Sequence, residues 1–130
     1  NQWKQVGAEV LIKNEPGRVF FGETTKKRRF EMAMYAWTAT TENNPRSTLH
    51  SSMIPTEKNG WSGQNFPGFR SEQMDKIIEE MDGQLNSKKR IDLAAEMQKI
   101  YTDELPVIPL YYRTDNAVIP KNLKNFKNDI

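Results

Sequence analysis

The chain has 130 residues and a mass of 15.1 kDa, with 36% hydrophobic residues and a formal net charge of +2 from 19 basic and 17 acidic side chains. That length fits one domain with a core of its own, and the apolar residues are clustered despite a mean hydropathy of −0.80, so folding is expected rather than disorder. The charge is too balanced to imply nucleic acid or an anionic membrane as partner, and the absence of cysteine excludes disulfides, thiolate chemistry and Cys-ligated metal.

No apolar run approaches the ~20 residues that a membrane-spanning helix needs. The opening "NQWKQVGAEV" lacks the basic and apolar regions of a signal peptide. It reads as the end of a helix, with Trp3 and Val6 ahead of Gly7 at the C′ position, so an excised piece of a longer protein is expected. "AEVLIK" is apolar and β-branched enough for a strand, which Pro16 and Gly17 interrupt. "RVFFGETTKKRRF" is assigned as a short, weak helix crossing between strands. "EMAMYAW" is almost continuously apolar, the pattern of a strand covered on both faces, with a buried helical turn as the competing reading. Strand, crossover and strand would form a βαβ unit.

Between Thr38 and Arg70 the chain is rich in Thr, Ser, Asn, Gly and Pro. "PRSTLHSSMI" is compatible with a short helix, whereas "PTEKNGWSGQNFPGF" is loop by composition. A loop this long in a small domain is more often functional than idle, and its Trp61, Phe66 and Phe69 need a core or a ligand. Two clear helices follow. Ser71 can cap the first, whose stripe is Met74, Ile77, Ile78 and Met81, with Gly83 as its stop. The second opens at Asn86 or Ser87, carries Leu93, Ala94, Met97, Ile100 and Tyr101, and must end by Leu105 because Pro106 follows. "VIPLYYRT" reads as a strand with Pro109 at an edge or bulge, "NAVIP" as a last short strand, and "KNLKNFKNDI" as a polar tail or tether.

Catalytic chemistry has little to anchor it. His50 is the single histidine, so a transition-metal site is disfavoured and a solvated loop histidine is the plain reading. There is no G-x-S-x-G elbow and no phosphate-binding G-x-x-x-x-G-K-S. Glu79, Glu80 and Asp82 lie on a helix whose other face is apolar, as a solvated face would. Lys26, Lys27, Arg28 and Arg29 form the sharpest charge run. With Trp37 or Trp61 they could serve a small single-strand nucleic-acid binder, though flanking Glu23 and Glu31 favour a solvated turn. A hydrolase using His50 is the third and weakest alternative.

The segments "QWKQVGAEVLIKN", "RRFEMAMYAW", "NFPGFRSEQMDKIIEEM" and "KKRIDLAAEMQKIYTDELPVIPLYY" together resemble the C-terminal lobe of the family 5 extracellular solute-binding proteins of bacterial ABC transporters. These are peptide- and oligopeptide-binding proteins with nickel- and sugar-binding relatives. The four motifs fall in the family's order and cover nearly the whole chain. The resemblance implies an α/β fold, one lobe of a periplasmic-binding-protein-like (type II) architecture with a mixed, mostly parallel sheet flanked by helices. It also implies a single domain, residues 1–130, cut from a larger bilobal protein of the periplasm or cell exterior.

Its partners would be a peptide or other small solute and a membrane permease, with no cofactor, no metal, no catalysis and no nucleic acid. The ligand would lie beyond the end of the apolar strand, at Trp37, Thr38, Ala39, Thr40 and Glu42, and along the loop at Trp61, Asn65 and Phe66. Peptide-binding relatives carry an Asp three residues after the Trp, where it pairs with the peptide's amino terminus. Thr40 stands at that position, and Glu42 is the nearest carboxylate.

Overall fold

A computed structural model describes residues 2–37, 45–112 and 118–125. In chain order it contains α1 (Gln2–Gln5), α2 (Gly17–Val19) running into a π-helical turn (Phe20–Thr24), α3 (Arg46–Leu49), two 3-10 turns (Ser51–Met53 and Glu57–Asn59), α4 (Glu72–Gly83) and α5 (Ser87–Glu104).

The long helices start where their caps dictate. The Ser71 hydroxyl accepts the Met74 N–H at 3.4 Å, and the Asn86 side chain accepts the Lys89 N–H at 3.1 Å. Each cap supplies an acceptor to a donor that has no partner inside the helix. Met74, Ile77, Ile78 and Met81 of α4 are buried against Leu93 and Ile100 of α5 and Leu49 of α3. Phe69, Ala94, Met97 and Tyr101 pack around that core. The stripe recurs every three or four residues, so one side of α4 is apolar throughout its three turns.

The ends differ in chemistry. At α1, Gly7 adopts φ +79°, Ala8 N–H reaches Trp3 O at 2.9 Å and Gly7 N–H reaches Lys4 O at 3.2 Å. This is the Schellman pairing expected of glycine at C′. Gly83, in contrast, is the last residue of α4 and does not provide its stop. The α4 carbonyls are met by Arg90 of α5, whose Nη1 donates to Met81 O at 2.6 Å and Gln84 O at 3.1 Å. α5 ends at Leu105, held at φ +42° ahead of Pro106.

The expected α/β lobe with a mixed, mostly parallel sheet is overturned: among the described residues there is no strand and no sheet. Residues 8–13, 32–37 and 107–112, taken for strands, run as irregular chain. Leu11 is 92% exposed, Met34 79% and Tyr112 fully exposed. Apolar, β-branched composition makes a segment suited to a sheet, but a strand exists only when a neighbour accepts its backbone hydrogen bonds. None of the three segments has such a neighbour among the described residues, and Pro109 removes one donor outright. In "NAVIP", Val118, Ile119 and Pro120 are likewise irregular, and Asn116 and Ala117 lie outside the described residues. The helix expected over "RVFFGETTKKRRF" is present only in its first half, as α2 and its π-helical continuation to Thr24, and residues 25–30 form a turn and irregular chain.

Two side-chain ties hold this irregular half together. The Thr24 hydroxyl donates to Glu15 Oε2 at 2.5 Å, while Lys13 pairs with Glu15 Oε1 at 2.7 Å. These contacts hold the Glu15 carboxyl below its usual range. The rings of Phe20 and Phe21 meet Tyr35 edge to face at 6.0 and 5.7 Å, which docks residues 32–37 on the α2 turn.

The core makes a plain demand on Ile78, which is fully buried. Ile78→Ala is expected to lower stability by about 2–5 kcal/mol in urea denaturation. Ile91→Ala, on the exposed side of α5, should change it by about 0.5 kcal/mol or less.

Candidate functional site

Of the residues nominated from sequence, Trp61, Asn65 and Phe66 lie on one loop, residues 60–69, and Trp37 packs against its Phe66. Three features fix the path of the loop. First, Asn65 is fully buried, and its amide is saturated inside the chain. Its Nδ2 donates to His50 O at 3.1 Å and Phe69 O at 2.9 Å, while Oδ1 accepts the Phe69 N–H at 2.9 Å. Second, Arg28 adopts φ +53° and aims its guanidinium at the loop, with Nε donating to Phe66 O at 3.0 Å and Nη2 to Pro67 O at 3.3 Å. Third, two glycines admit the close approaches. A Cβ on Gly63 would lie 2.0 Å from the Met53 carbonyl oxygen, and one on Gly68 would lie 2.1 Å from Arg28 Nη2.

With the loop so held, Phe66 is buried and faces the apolar segment at residues 32–37. Its ring centroid lies 6.2 Å from Tyr35 and 6.5 Å from Trp37, both edge to face. Tyr35 and Trp37 are 5.9 Å apart, so Phe20, Phe21, Tyr35, Trp37 and Phe66 make a continuous aromatic row. Trp37 closes the row and is 45% exposed. It is also the last described residue before the segment at 38–44.

The nominated residues thus divide into three groups. Trp37 and Phe66 come together in the row, with Asn65 directly behind Phe66 as the loop's internal anchor. Trp61 is half-buried on the left-handed turn after Glu57–Asn59, at φ +61°, and among the described rings none joins it to the row. Thr38, Ala39, Thr40 and Glu42 lie outside the described residues.

Sequence reasoning overlooked Tyr35 and read Arg28 and His50 as solvated. Tyr35 was visible as one more aromatic in "MAMYAW". Nothing local marked Arg28, whose carbonyl partners stand 38 and 39 positions away. The charge run that contains it is partly engaged within the chain, since Lys27 also pairs with Glu23 at 2.5 Å. His50 is a correction to the solvated reading: it is buried, and its Nδ1 accepts the Ser52 N–H at 3.1 Å to cap Ser51–Met53. Asp75 of α4 accepts the Ser51 N–H at 2.8 Å and bonds the Ser51 hydroxyl, which ties that turn to the helical core.

Chemically the row offers apolar and stacking contact. Among the described residues no group of three His, Asp or Glu side chains could hold a metal. A concavity of about 340 Å³ lined by Gln73, Glu96, Lys99, Ile100 and Asp103 lies on α4 and α5 and shares no residue with the row. The row has the better case as a site, because it is anchored by buried hydrogen bonds and borders the nominated segment at 38–44.

No protein-family model matches the chain, and no solved structure is significantly similar to it. The chain is similar to the oligopeptide-binding protein OppA of Bacillus subtilis (strain 168), with 27% identity over 123 residues. The similarity covers 94% of this chain and 21% of OppA, so the chain spans about a fifth of the length of the relative it matches.

Two outcomes test this geometry. Gly63→Ala forces a Cβ onto a backbone carbonyl at φ +101° and is expected to lower stability by about 2 kcal/mol or more in urea. Gly22→Ala, in open space on the π-helical turn, should be neutral or stabilising by about 0.4–1 kcal/mol. The second concerns pH. Burial raises the Tyr35 phenol above its ordinary value, and burial does the same to Tyr101. The unfolded phenols therefore ionise first, so stability is unaffected below about pH 10 and declines as pH climbs through the folded values. Tyr35→Phe is expected to remove part of that alkaline decline in a pH series of urea midpoints, and Tyr101→Phe a further part.

Proposed function

We propose that this chain is one part of a longer solute-binding protein that captures a peptide, or another small solute, for import through an ABC transporter. The observation that carries the proposal is the similarity to OppA along 94% of the chain. Four motifs in the order of the family 5 binding proteins support it further. On this reading the chain has no catalytic role. The parent works outside the cytoplasm, in the periplasm or at the cell surface, and its partner is a membrane permease.

The ligand surface would be the exposed end of the aromatic row with the segment that leaves it. Trp37 would provide stacking or apolar contact, Thr38, Thr40 and Glu42 side-chain polar contact, Ala39 contact through its backbone, and Trp61 the far rim. Phe66 and Asn65 would act one layer down, Phe66 by packing against Trp37 and Asn65 by fixing the loop. Thr40 is neutral, so a peptide amino terminus would find no carboxylate at that position. A buried ammonium without a charged partner is costly. Ligands that expose an uncharged or apolar end toward Trp37 therefore suit the site better than those that anchor there by a free amine.

The exposed apolar residues at 8–13, 32–37 and 107–112 fit the same reading. A stand-alone domain rarely leaves this much apolar chain in water, and in the parent these segments would lie against further polypeptide.

Calorimetry on the longer protein against a degenerate oligopeptide mixture is the test. Binding at micromolar affinity or better is expected, with Trp37→Ala weakening it about tenfold or more, the range of an aromatic contact residue. The 130 residues alone are expected to bind no peptide measurably. Failure of the longer protein to bind any peptide or small solute would overturn the proposal, as would micromolar binding by the 130 residues alone.

A further inference from the structure

We propose that His50 is an acid-operated latch on the loop at residues 60–69. The His50 side chain is 8% exposed and sits where three elements meet. Its Nδ1 accepts the Ser52 N–H at 3.1 Å and lies 2.7 Å from the Ser52 hydroxyl. A ring nitrogen that accepts an amide N–H carries no proton, so the neutral imidazole holds its single proton on Nε2. Nε2 lies 3.4 Å from Glu79 Oε1, the acceptor that suits this tautomer.

Two carboxylates stand beside the ring. From α4, Glu79 and Asp75 face it, Asp75 at 3.9 Å from Nδ1. From α3, Arg46 is bound to Asp82 at 2.8 Å rather than to the imidazole. The loop at 60–69 contributes no charged side chain, and neither does the turn at Ser51–Met53. Histidine is the side chain that gains charge within about pH 5–8.

The second proton must go to Nδ1, because Nε2 already carries one. Nδ1 then changes from acceptor to donor, and the Ser52 N–H loses its partner. The Ser52 hydroxyl can turn to accept from the new N–H, while the charged ring is drawn toward Asp75. The cap on Ser51–Met53 is broken in this exchange.

That turn is one of the loop's attachments, beside the bond from Gln64 N–H to Ser47 O at 3.1 Å and those of Arg28 to the Phe66 and Pro67 carbonyls. The His50 carbonyl accepts Asn65 Nδ2 at 3.1 Å, and the Met53 carbonyl accepts the Asn65 N–H at 3.1 Å. Loosening the turn therefore slackens both attachments of Asn65, and with them the placement of Phe66 against Trp37. The latch is a property of the chain alone and does not depend on the solute-binding reading.

Nitrogen-edited NMR of the imidazole and amide hydrogen exchange, corrected for intrinsic rates, test it between about pH 8 and pH 5. The neutral ring is expected as the Nε2–H tautomer. Protection of the Ser52, Asn65 and Phe69 amides should fall roughly tenfold or more along the same curve as the imidazole titrates. In His50→Asn, whose side-chain oxygen can keep the cap without titrating, that fall should vanish. A neutral Nδ1–H tautomer would overturn the latch, as would amide protection that ignores the imidazole titration, or an equal fall in His50→Asn. If His50→Asn does not fold, coincidence or separation of the two wild-type curves decides the matter.

Discussion

The side-chain amide of Asn65 is the joint on which this chain turns. It is fully buried and makes three hydrogen bonds within the chain, two through Nδ2 and one through Oδ1. An amide can donate twice and accept at the same time, and no other small side chain of that shape does both. One partner is the carbonyl of His50, in the segment tied to α4 through Asp75. The others belong to Phe69, whose ring packs against the helical core. Asn65 thus closes the 60–69 loop on itself and fastens it to the α4–α5 unit.

Everything that makes the candidate site coherent follows from that fastening. Phe66 comes next in sequence and is presented to Tyr35 and Trp37. Arg28 then satisfies the carbonyls of Phe66 and Pro67 from the other side. The aromatic row is therefore framed by polar groups that are themselves paired, an arrangement that positions rings without exposing orphaned donors. Trp37 packs edge to face on both Tyr35 and Phe66 and is partly exposed.

The helical half of the chain was legible in its sequence and the other half was not. Ser71, Asn86 and the stripe from Met74 to Met81 act within a few residues of themselves, so spacing and capping chemistry were enough to place α4 and α5. Gly7 was readable for the same reason. Residues 8–13, 32–37 and 107–112 carry apolar composition without the pairing that would make them strands, and pairing is a relation between distant segments that no window reveals. The same holds for the site. Trp37 and Phe66 announced themselves as aromatics at the edge of a loop, whereas Arg28 reaches across 38 residues and His50 acts through a backbone amide. The sequence reads Arg28 as part of a solvated charge run flanked by Glu23 and Glu31, and His50 as a solvated loop histidine because no Cys or second His accompanies it.

The central claim, that one buried amide sets the loop and so the row, is tested most directly by Asn65→Asp with Gln64→Glu as an exposed control. The exchange keeps the shape of Asn65 but replaces two donated hydrogen bonds with a carboxylate facing the carbonyls of His50 and Phe69. The account predicts a loss of about 3 kcal/mol or more in urea denaturation at neutral pH for Asn65→Asp, and about 0.5 kcal/mol or less for Gln64→Glu. An Asn65→Asp midpoint equal to that of the parent chain would contradict it.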